Sequence, residues 1–370
     1  MMTMYTQTLA IVRLQCSDGI EGIGEATCIG GLAYGEQSPE GIKLAIDTYM
    51  APLLADVDAT NVNAAMARVG KHVQGNSFAK SAIETALLDA QGKRLGLPVH
   101  ALLGGACRKS LPVLWTLASG DSGRDIEEAR AMIDAKRHCV FKLKIGRREP
   151  MQDVAHVARI KQALGAETLI TVDVNQAWSE MQAERAIAAL QADGVDLIEQ
   201  PVARERRDAM ARLARRFTVP IMADEAVHDA VDAYDYAHHA AADVYALKIS
   251  KAGGLLPTLR AAAVADASGI GLYGGTMLEG SIGSIASAHA FAALPQLEWG
   301  TELFGPLLLK DDIVVHGPTY RDCALWLDDA PGLGVSLDED KLAFYRRDRR
   351  STAVAAATRG PGEEARPASV

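Results

Sequence analysis

The sequence predicts an α/β protein: a (β/α)8 barrel of TIM type with an N-terminal α+β capping domain. Two observations predict it. From residue 110 onward, short β-branched or apolar runs alternate with Ala-rich helical stretches, and before that point a β-hairpin is followed only by helices. Eight βα repeats within about 200 residues are the pattern of a closed barrel, whereas a doubly wound sheet rarely has eight equally spaced units.

The elements follow in order. Residues 5–14 (YTQTLAIVRL) are rich in β-formers with rough polar–apolar alternation, Ser17-Asp18-Gly19 reads as a turn, and Ile20 to Ala26 return as a second strand. Residues 28–36 (CIGGLAYGE) are Gly-rich and read as a loop. Helical patterns cover 39–54 after Ser38-Pro39, 60–73, and 77–95 up to Gly96-Leu97-Pro98. These make the capping domain, 1–108, which lacks the first strand expected of its type. The barrel, 109–312, takes its strands from LPVLWTL (111–117), VFKLKI (140–145), TLITVDV (168–174), VDLIEQ (195–200), VPIMADE (219–225), VYALKI (244–249), IGLYGG (270–275) and LEWGTEL (297–303). Residues 313–350 complete the capping domain. The stretch 351–370, which is Ala, Gly, Pro and charge without periodicity, reads as a disordered tail.

Composition narrows the function. A chain of 370 residues suits two domains, and 49% hydrophobic residues supply a large core. A net charge of −9 argues against nucleic acid, which needs clustered Lys and Arg. The one basic run, Arg346 to Arg350, reads as a solvated chain end. No stretch reaches the roughly 18 apolar residues of a membrane span, and residues 1–30 lack a signal-peptide pattern. The five cysteines (Cys16, Cys28, Cys107, Cys139, Cys323) are scattered and in no CxxC pair, so reduced thiols and a cytoplasmic location are expected.

The chemistry is read where charges interrupt the strands. Lys142 and Lys144 end the second run, Asp173 and Asn175 the third, Glu199 the fourth, Asp224 and Glu225 the fifth, Lys248 the sixth and Glu302 the eighth. Lys144, Asp173, Glu199, Asp224 and Lys248 follow one another at 29, 26, 25 and 24 residues, one βα unit each. Charges in that register converge on the C-terminal mouth of a barrel, the face that carries the active site. A lone acid at a strand end is often a helix N-cap, but five charges in phase with the repeat are not obtained by capping. Three carboxylates forced together repel unless a cation neutralises them, and an all-oxygen set suits Mg2+ or Mn2+. Lys144 and Lys248 would flank that ion, with pKa values lowered toward acid–base duty. Glu225 reads as a supporting group or cap, and His238 and His239 as surface or structural residues.

At these residues the sequence resembles the muconate-lactonizing group of the enolase superfamily, the muconate cycloisomerases. The marks are Lys142-Leu-Lys144, Val172-Asp173-Val-Asn175, Ile198-Glu199-Gln-Pro201, Ala223-Asp224-Glu225 and Leu247-Lys248-Ile249. Longer stretches, Gly22 to Tyr34, Gly274 to Gly283 and Trp299 to Leu309, carry the likeness from about residue 5 to 345. The resemblance implies closure of cis,cis-muconate to muconolactone in catechol breakdown through a metal-stabilised enolate. It implies a Mn2+ (or Mg2+) cofactor on Asp173, Glu199 and Asp224, a small dicarboxylate substrate, and a homo-oligomer, often an octamer. By the same resemblance Lys144 transfers the proton at the α-carbon, Lys142 positions and polarises the substrate, and Lys248 stabilises charge from the other side. Glu302 matches a proposed proton donor, with hydrogen bonding near the metal as its alternative. Ile29 and Tyr34 on the lid loop, together with Asn175 and Phe304, would bind substrate. The alternatives within enzymes are a chloromuconate cycloisomerase, an o-succinylbenzoate synthase or a dipeptide epimerase. An inactive barrel serving as a scaffold is the alternative of another class.

Overall fold

The capping hairpin forms as the sequence predicts. In a computed structural model that describes residues 6–32 and 35–347, β1 (Leu9–Gln15) pairs antiparallel with β2 (Glu21–Thr27), in register from Leu9↔Thr27 to Gln15↔Glu21. The predicted tail, 351–370, and Tyr34 lie outside the described residues. Gly19, at φ 85, makes the turn. β2 lies against the Ser77–Leu95 helix so closely that glycine is required. A Cβ at Gly22 would stand 1.9 Å from the Ala86 carbonyl oxygen, and one at Gly24 equally near that of Ala82. That helix ends as expected on Gly96 in the left-handed conformation. Asp89, buried on its inner face, accepts the backbone amides of Ile23 (2.8 Å) and Leu333 (2.8 Å) and the Lys93 ammonium (2.7 Å). One carboxylate thereby joins the hairpin, the helix and the C-terminal segment.

The predicted helix over 39–54 is interrupted. Pro39–Ala45 and Ala51–Leu54 are α-helical, but Ile46–Met50 between them is a π turn. Pro52 offers no N–H to the ladder, so the hydrogen-bond register slips ahead of it.

The α/β domain follows as β3 (Ser110–Pro112), β4 (Trp115–Leu117), β5 (Val140–Lys144), β6 (Leu169–Asp173), β7 (Leu197–Glu199), β8 (Ile221–Ala223), β9 (Val244–Leu247) and β10 (Gly271–Gly274). β4 to β10 form one parallel seven-stranded sheet in sequence order, with helices intervening between successive strands. The first and eighth predicted strands need correction. LPVLWTL divides: β3 leaves for another sheet and only β4 joins the parallel one. The division falls at Val113 and Leu114, whose amides go to Cys323 and Thr301 respectively. Across 297–303 no strand forms; Thr301 alone bridges Val113 on one side and Gly274 on the other. Trp299, Gly300 and Glu302 also hydrogen-bond the backbone of β10, but with the chain turned at Gly300 (φ 66) the pairing stays an isolated bridge rather than a strand.

Beyond it, β11 (Thr319–Arg321) and β12 (Ala324–Trp326) pair antiparallel, and β12 adds β3 to make a three-stranded sheet. This brings Cys323 to Cys139, and the two are joined in a disulfide across 184 residues. The expectation of reduced thiols holds for Cys16, Cys28 and Cys107 but not for this pair. The long separation hid the contact, because the Cys323 amide reaches Lys136 only through the β11–β12 turn. A bond closing so long a loop restrains the unfolded chain strongly.

Two buried carboxylates dock the cap on the α/β domain, each at a helix N-terminus, where backbone amides have no partner within the helix. Glu84 accepts the Leu256 amide (3.1 Å) at the start of the Leu255–Ala267 helix, in the space a Cβ on Gly254 would fill. Glu25 accepts the Gly280 (2.6 Å) and Gly283 (3.0 Å) amides at the start of the Ser281–Ala293 helix. Burial, opposed by these amides, pushes Glu84 up to about 7 and Glu25 up to about 8. A carboxyl raised in the folded state favours folding most below its ordinary 4.5, and that contribution is lost as pH rises to about 7. Glu84→Gln, which keeps a hydrogen-bonding oxygen without a titrating proton, should flatten the decline of Tm over that interval. Thermal unfolding of both proteins against pH checks this, and parallel profiles would contradict it.

Candidate active site

The parallel register sets the charged residues in one row. Lys144 pairs with Asp173 across β5–β6, and Asp173 with Glu199 across β6–β7. Asp224 and Lys248 are the first residues beyond β8 and β9. One cavity at these strand ends is lined by Lys144, Asp173, Asn175, Glu199, Asp224, Glu225, Lys248 and Glu302, with Ile29, Trp115 and Phe304 on its apolar side. Phe304 packs on Trp115 with ring centroids 5.2 Å apart. Of the candidate site residues that are described, only Lys142 is absent from this lining; Tyr34 lies outside the described residues.

Every carboxylate of the row is held by a lysine. Lys144 pairs with Asp173 and donates to Asn175 Oδ1 (3.1 Å). Asp173 Oδ1 also accepts the Asn175 amide (2.8 Å), and Asn175 Nδ2 donates to Glu225 Oε1 (3.2 Å). Asn175 sits at φ 44, a conformation Asn tolerates, which turns the chain back over the strand end. Lys142, wholly buried, stands beneath the cavity, 2.5 Å from Glu199 Oε2 and 2.7 Å from Glu302 Oε2. Its angle to Glu199 makes an ion pair but no hydrogen bond, so Glu199 Oε2 remains without one. Lys142 therefore reaches the cavity only through these two acids. Lys248 donates to Asp224 Oδ2 (2.6 Å).

Sequence reasoning missed two supporting residues. Lys251 donates to Asp224 Oδ1 (2.7 Å) and to the Ala246 carbonyl (3.0 Å). Tyr273 donates to Glu302 Oε2 (2.8 Å), and the Lys142 ammonium lies 4.7 Å from the centre of its ring. Tyr273 does keep the period, 25 residues after Lys248 and 29 before Glu302, but it carries no charge and lies inside a strand, so its hydroxyl is assigned only by packing. Lys251 stands four residues past the end of β9, inside the helical turn that follows it. Glu225, expected as a supporting group, takes the Asn175 bond and presents Oε2 without a partner.

The electrostatics follow from this crowding. Burial, with Asp173 next, drives Glu199 well above the carboxylate range. For Asp224 burial acts the same way, but Lys248 and Lys251 outweigh it and hold the group below its usual value. Burial alone would lower Lys144, as the sequence suggested, but the adjacent Asp173 outweighs it and holds the ammonium above its ordinary range. The expected lowering requires that Asp173 be engaged elsewhere.

The donor set fits a hard divalent cation. Asp173, Glu199 and Asp224 present carboxylate oxygens to one cavity, one of them lacking a hydrogen bond; among the described lining residues there is no cysteine, and the imidazole, His156, is engaged by Ser122 and Asp125. Among the described residues no three acidic, histidine or cysteine side chains are yet gathered closely enough to ligate an ion. Each of the three carboxylates is paired with a lysine instead.

A capped parallel sheet with opposed lysines across three carboxylates defines an enzyme of metal-assisted proton transfer next to a carboxylate. Comparison with known proteins agrees. Residues 1–104 match the mandelate racemase/muconate lactonizing enzyme N-terminal domain, and 124–341 match the enolase C-terminal domain-like family. Muconate cycloisomerase 1 of Pseudomonas putida is 58% identical over 347 residues, 94% of this chain and 92% of that protein. A structure of muconate lactonizing enzyme from Pseudomonas fluorescens complexed with muconolactone is 59% identical, with a TM-score of 0.92 over 94% of each chain. Chloromuconate cycloisomerase of Delftia acidovorans is 43% identical over 93% of both. The chain belongs to the mandelate racemase/muconate lactonizing enzyme family of the enolase superfamily. Enzymes of this superfamily use a divalent metal, generally Mg2+ or Mn2+.

Tyr273→Phe removes one of two donors to Glu302 Oε2. A hydrogen bond to a charged group is worth about 1.5–3 kcal/mol, so kcat should fall roughly ten- to a hundredfold if Glu302 acts in turnover. Steady-state kinetics beside a circular-dichroism melt checks this; an unchanged kcat would remove Glu302 from the chemistry.

Proposed function

We propose that this chain is a muconate cycloisomerase, closing cis,cis-muconate to muconolactone. The observation that carries the reading is the pair of lysines, Lys144 and Lys248, facing each other across Asp173, Glu199 and Asp224 in one cavity. The greater identity to plain muconate enzymes, 58% against 43%, favours unsubstituted muconate over chloromuconate.

Asp173, Glu199 and Asp224 would hold Mn2+, or Mg2+ in its place. A bound divalent ion supplies positive charge for the substrate carboxylate as its α-carbon becomes electron-rich. The remaining work falls to the chain's own residues. One substrate carboxylate oxygen adds to the far double bond, so that one C–O bond forms and the displaced electron pair moves to the α-carbon. Lys144, the most exposed of the site lysines with 28% of its side chain accessible, delivers a proton to that carbon from Nζ. Each turnover therefore consumes one proton. Lys248 stabilises negative charge on the opposite face. Glu302, fixed by Lys142 and Tyr273, stands where it can exchange a proton or orient the carboxylate. Asn175, Ile29 and Phe304, with Tyr34 on the lid loop, shape the pocket and exclude water.

The same reading takes 1–108 with 313–350 as the cap and 109–312 as the catalytic barrel, closed through Thr301. It makes the enzyme a cytoplasmic homo-oligomer, an octamer by likeness to the family. Among the described residues no helix is long and apolar enough to cross a membrane.

Loss of muconate absorbance with Mn2+, with EDTA and with Lys144→Ala tests the proposal. Conversion should require the metal, and removal of the general acid should lower kcat about 10²- to 10⁴-fold. A folded, metal-loaded protein that leaves muconate unchanged would overturn the assignment.

A further inference from the structure

Asp224 is held by two lysines that are not equivalent. Its backbone is fixed first. The Asp224 and Ala226 amides both donate to Gln200 Oε1, at 3.0 and 3.3 Å, and Gln200 is anchored in turn through Nε2 to the Val202 carbonyl (3.0 Å). Behind the carboxylate, away from the cavity, Lys251 donates to Oδ1, to the Asp224 carbonyl and to the Ala246 carbonyl at the end of β9. All three acceptors are protein atoms, and Lys251 is not part of the cavity wall. Lys248 donates to the other oxygen, Oδ2, from the cavity side, and is itself part of that wall.

We infer that the two lysines divide the work. Lys251 is a positioning residue, a counter-ion behind Asp224 that keeps its carboxylate aimed. Lys248 holds Oδ2 only until a divalent cation takes that oxygen, whereupon its ammonium turns to the substrate. The inference rests on the reading of Asp224 as a metal ligand. It follows from the accounting of lone pairs: Oδ1 is committed to a group that a cavity ligand does not reach, whereas Oδ2 is committed to one that competes with the ligand for the same space. A cation that approaches Oδ2 from the cavity meets the like charge of Lys248 and need not disturb Lys251.

Loss of Lys251 then weakens metal binding and loss of Lys248 does not, a split that a merely structural role for both would not produce. The test is direct titration of the full-length protein with Mn2+, followed by the electron paramagnetic resonance signal of free Mn2+, without muconate. Lys251→Met should weaken Mn2+ binding about 10- to 100-fold, the range expected when a group orienting a ligand is lost. Lys248→Ala should bind Mn2+ as tightly as the parent protein or more tightly. If Lys251→Met does not fold, Lys251→Gln, which retains a donor but not the charge, carries the same expectation of weakened binding. Mn2+ affinity unchanged in the folded Lys251 variant, or weakened by both the Lys251 and Lys248 substitutions, would overturn the inference. Absence of Mn2+ binding by the unsubstituted protein would instead remove the metal reading beneath it.

Discussion

Charge balance among buried groups is the constraint on which the rest depends. Asp173, Glu199 and Asp224 are at most 1% exposed, and Glu302 is 6% exposed. A carboxylate that deep is tolerated only when paired, because the low dielectric penalises an isolated charge far more than any hydrogen bond in water can return. The four lysines Lys142, Lys144, Lys248 and Lys251 supply the pairing. The same pairing holds Lys144 above the range in which it would trade protons. On the proposed reading, a divalent ion on Asp173, Glu199 and Asp224 would take over the neutralisation and free Lys144 and Lys248 for the substrate.

The scaffold serves this balance by rigid placement. Parallel register sets Lys144, Asp173 and Glu199 side by side, and the backbone just beyond β8 and β9 adds Asp224 and Lys248. The cap is fastened by further buried acids. Glu25 and Glu84 reach into the N-termini of two barrel helices, and Asp89 ties hairpin, helix and C-terminal segment together. The loop that carries Ile29 is thereby held over the cavity by the same hairpin that contributes Glu25.

Much of this was legible in the sequence because it is periodic. The βα repeat located seven strands and placed Lys144, Asp173, Glu199, Asp224 and Lys248 at one edge, since residues one unit apart on parallel strands must converge. What was illegible is what periodicity does not encode. The division of 111–117 between two sheets depends on the Cys323 carbonyl, about two hundred residues away, and the Cys139–Cys323 bond depends on the same contact. The eighth run reads as a strand by composition, yet with the turn at Gly300 it forms a bridge at Thr301 and a few backbone bonds to β10 rather than a continuous strand. Lys251 and Tyr273 act by direction, one behind a carboxylate and one beneath it, and direction is a property of packing. The lowered Lys144 expected from burial also went astray, because its partner Asp173 is set by the strand register.

The exchange of lysine for metal is the centre of this account, and a crystal structure of the Mn2+-loaded protein tests it most directly through the anomalous signal of manganese. The account predicts one strong peak within about 2 Å of an oxygen from each of Asp173, Glu199 and Asp224, with Lys144 and Lys248 withdrawn from those oxygens and Lys251 still on Asp224. A peak elsewhere in the cavity, or manganese bound while Lys144 and Lys248 keep their present partners, would contradict it.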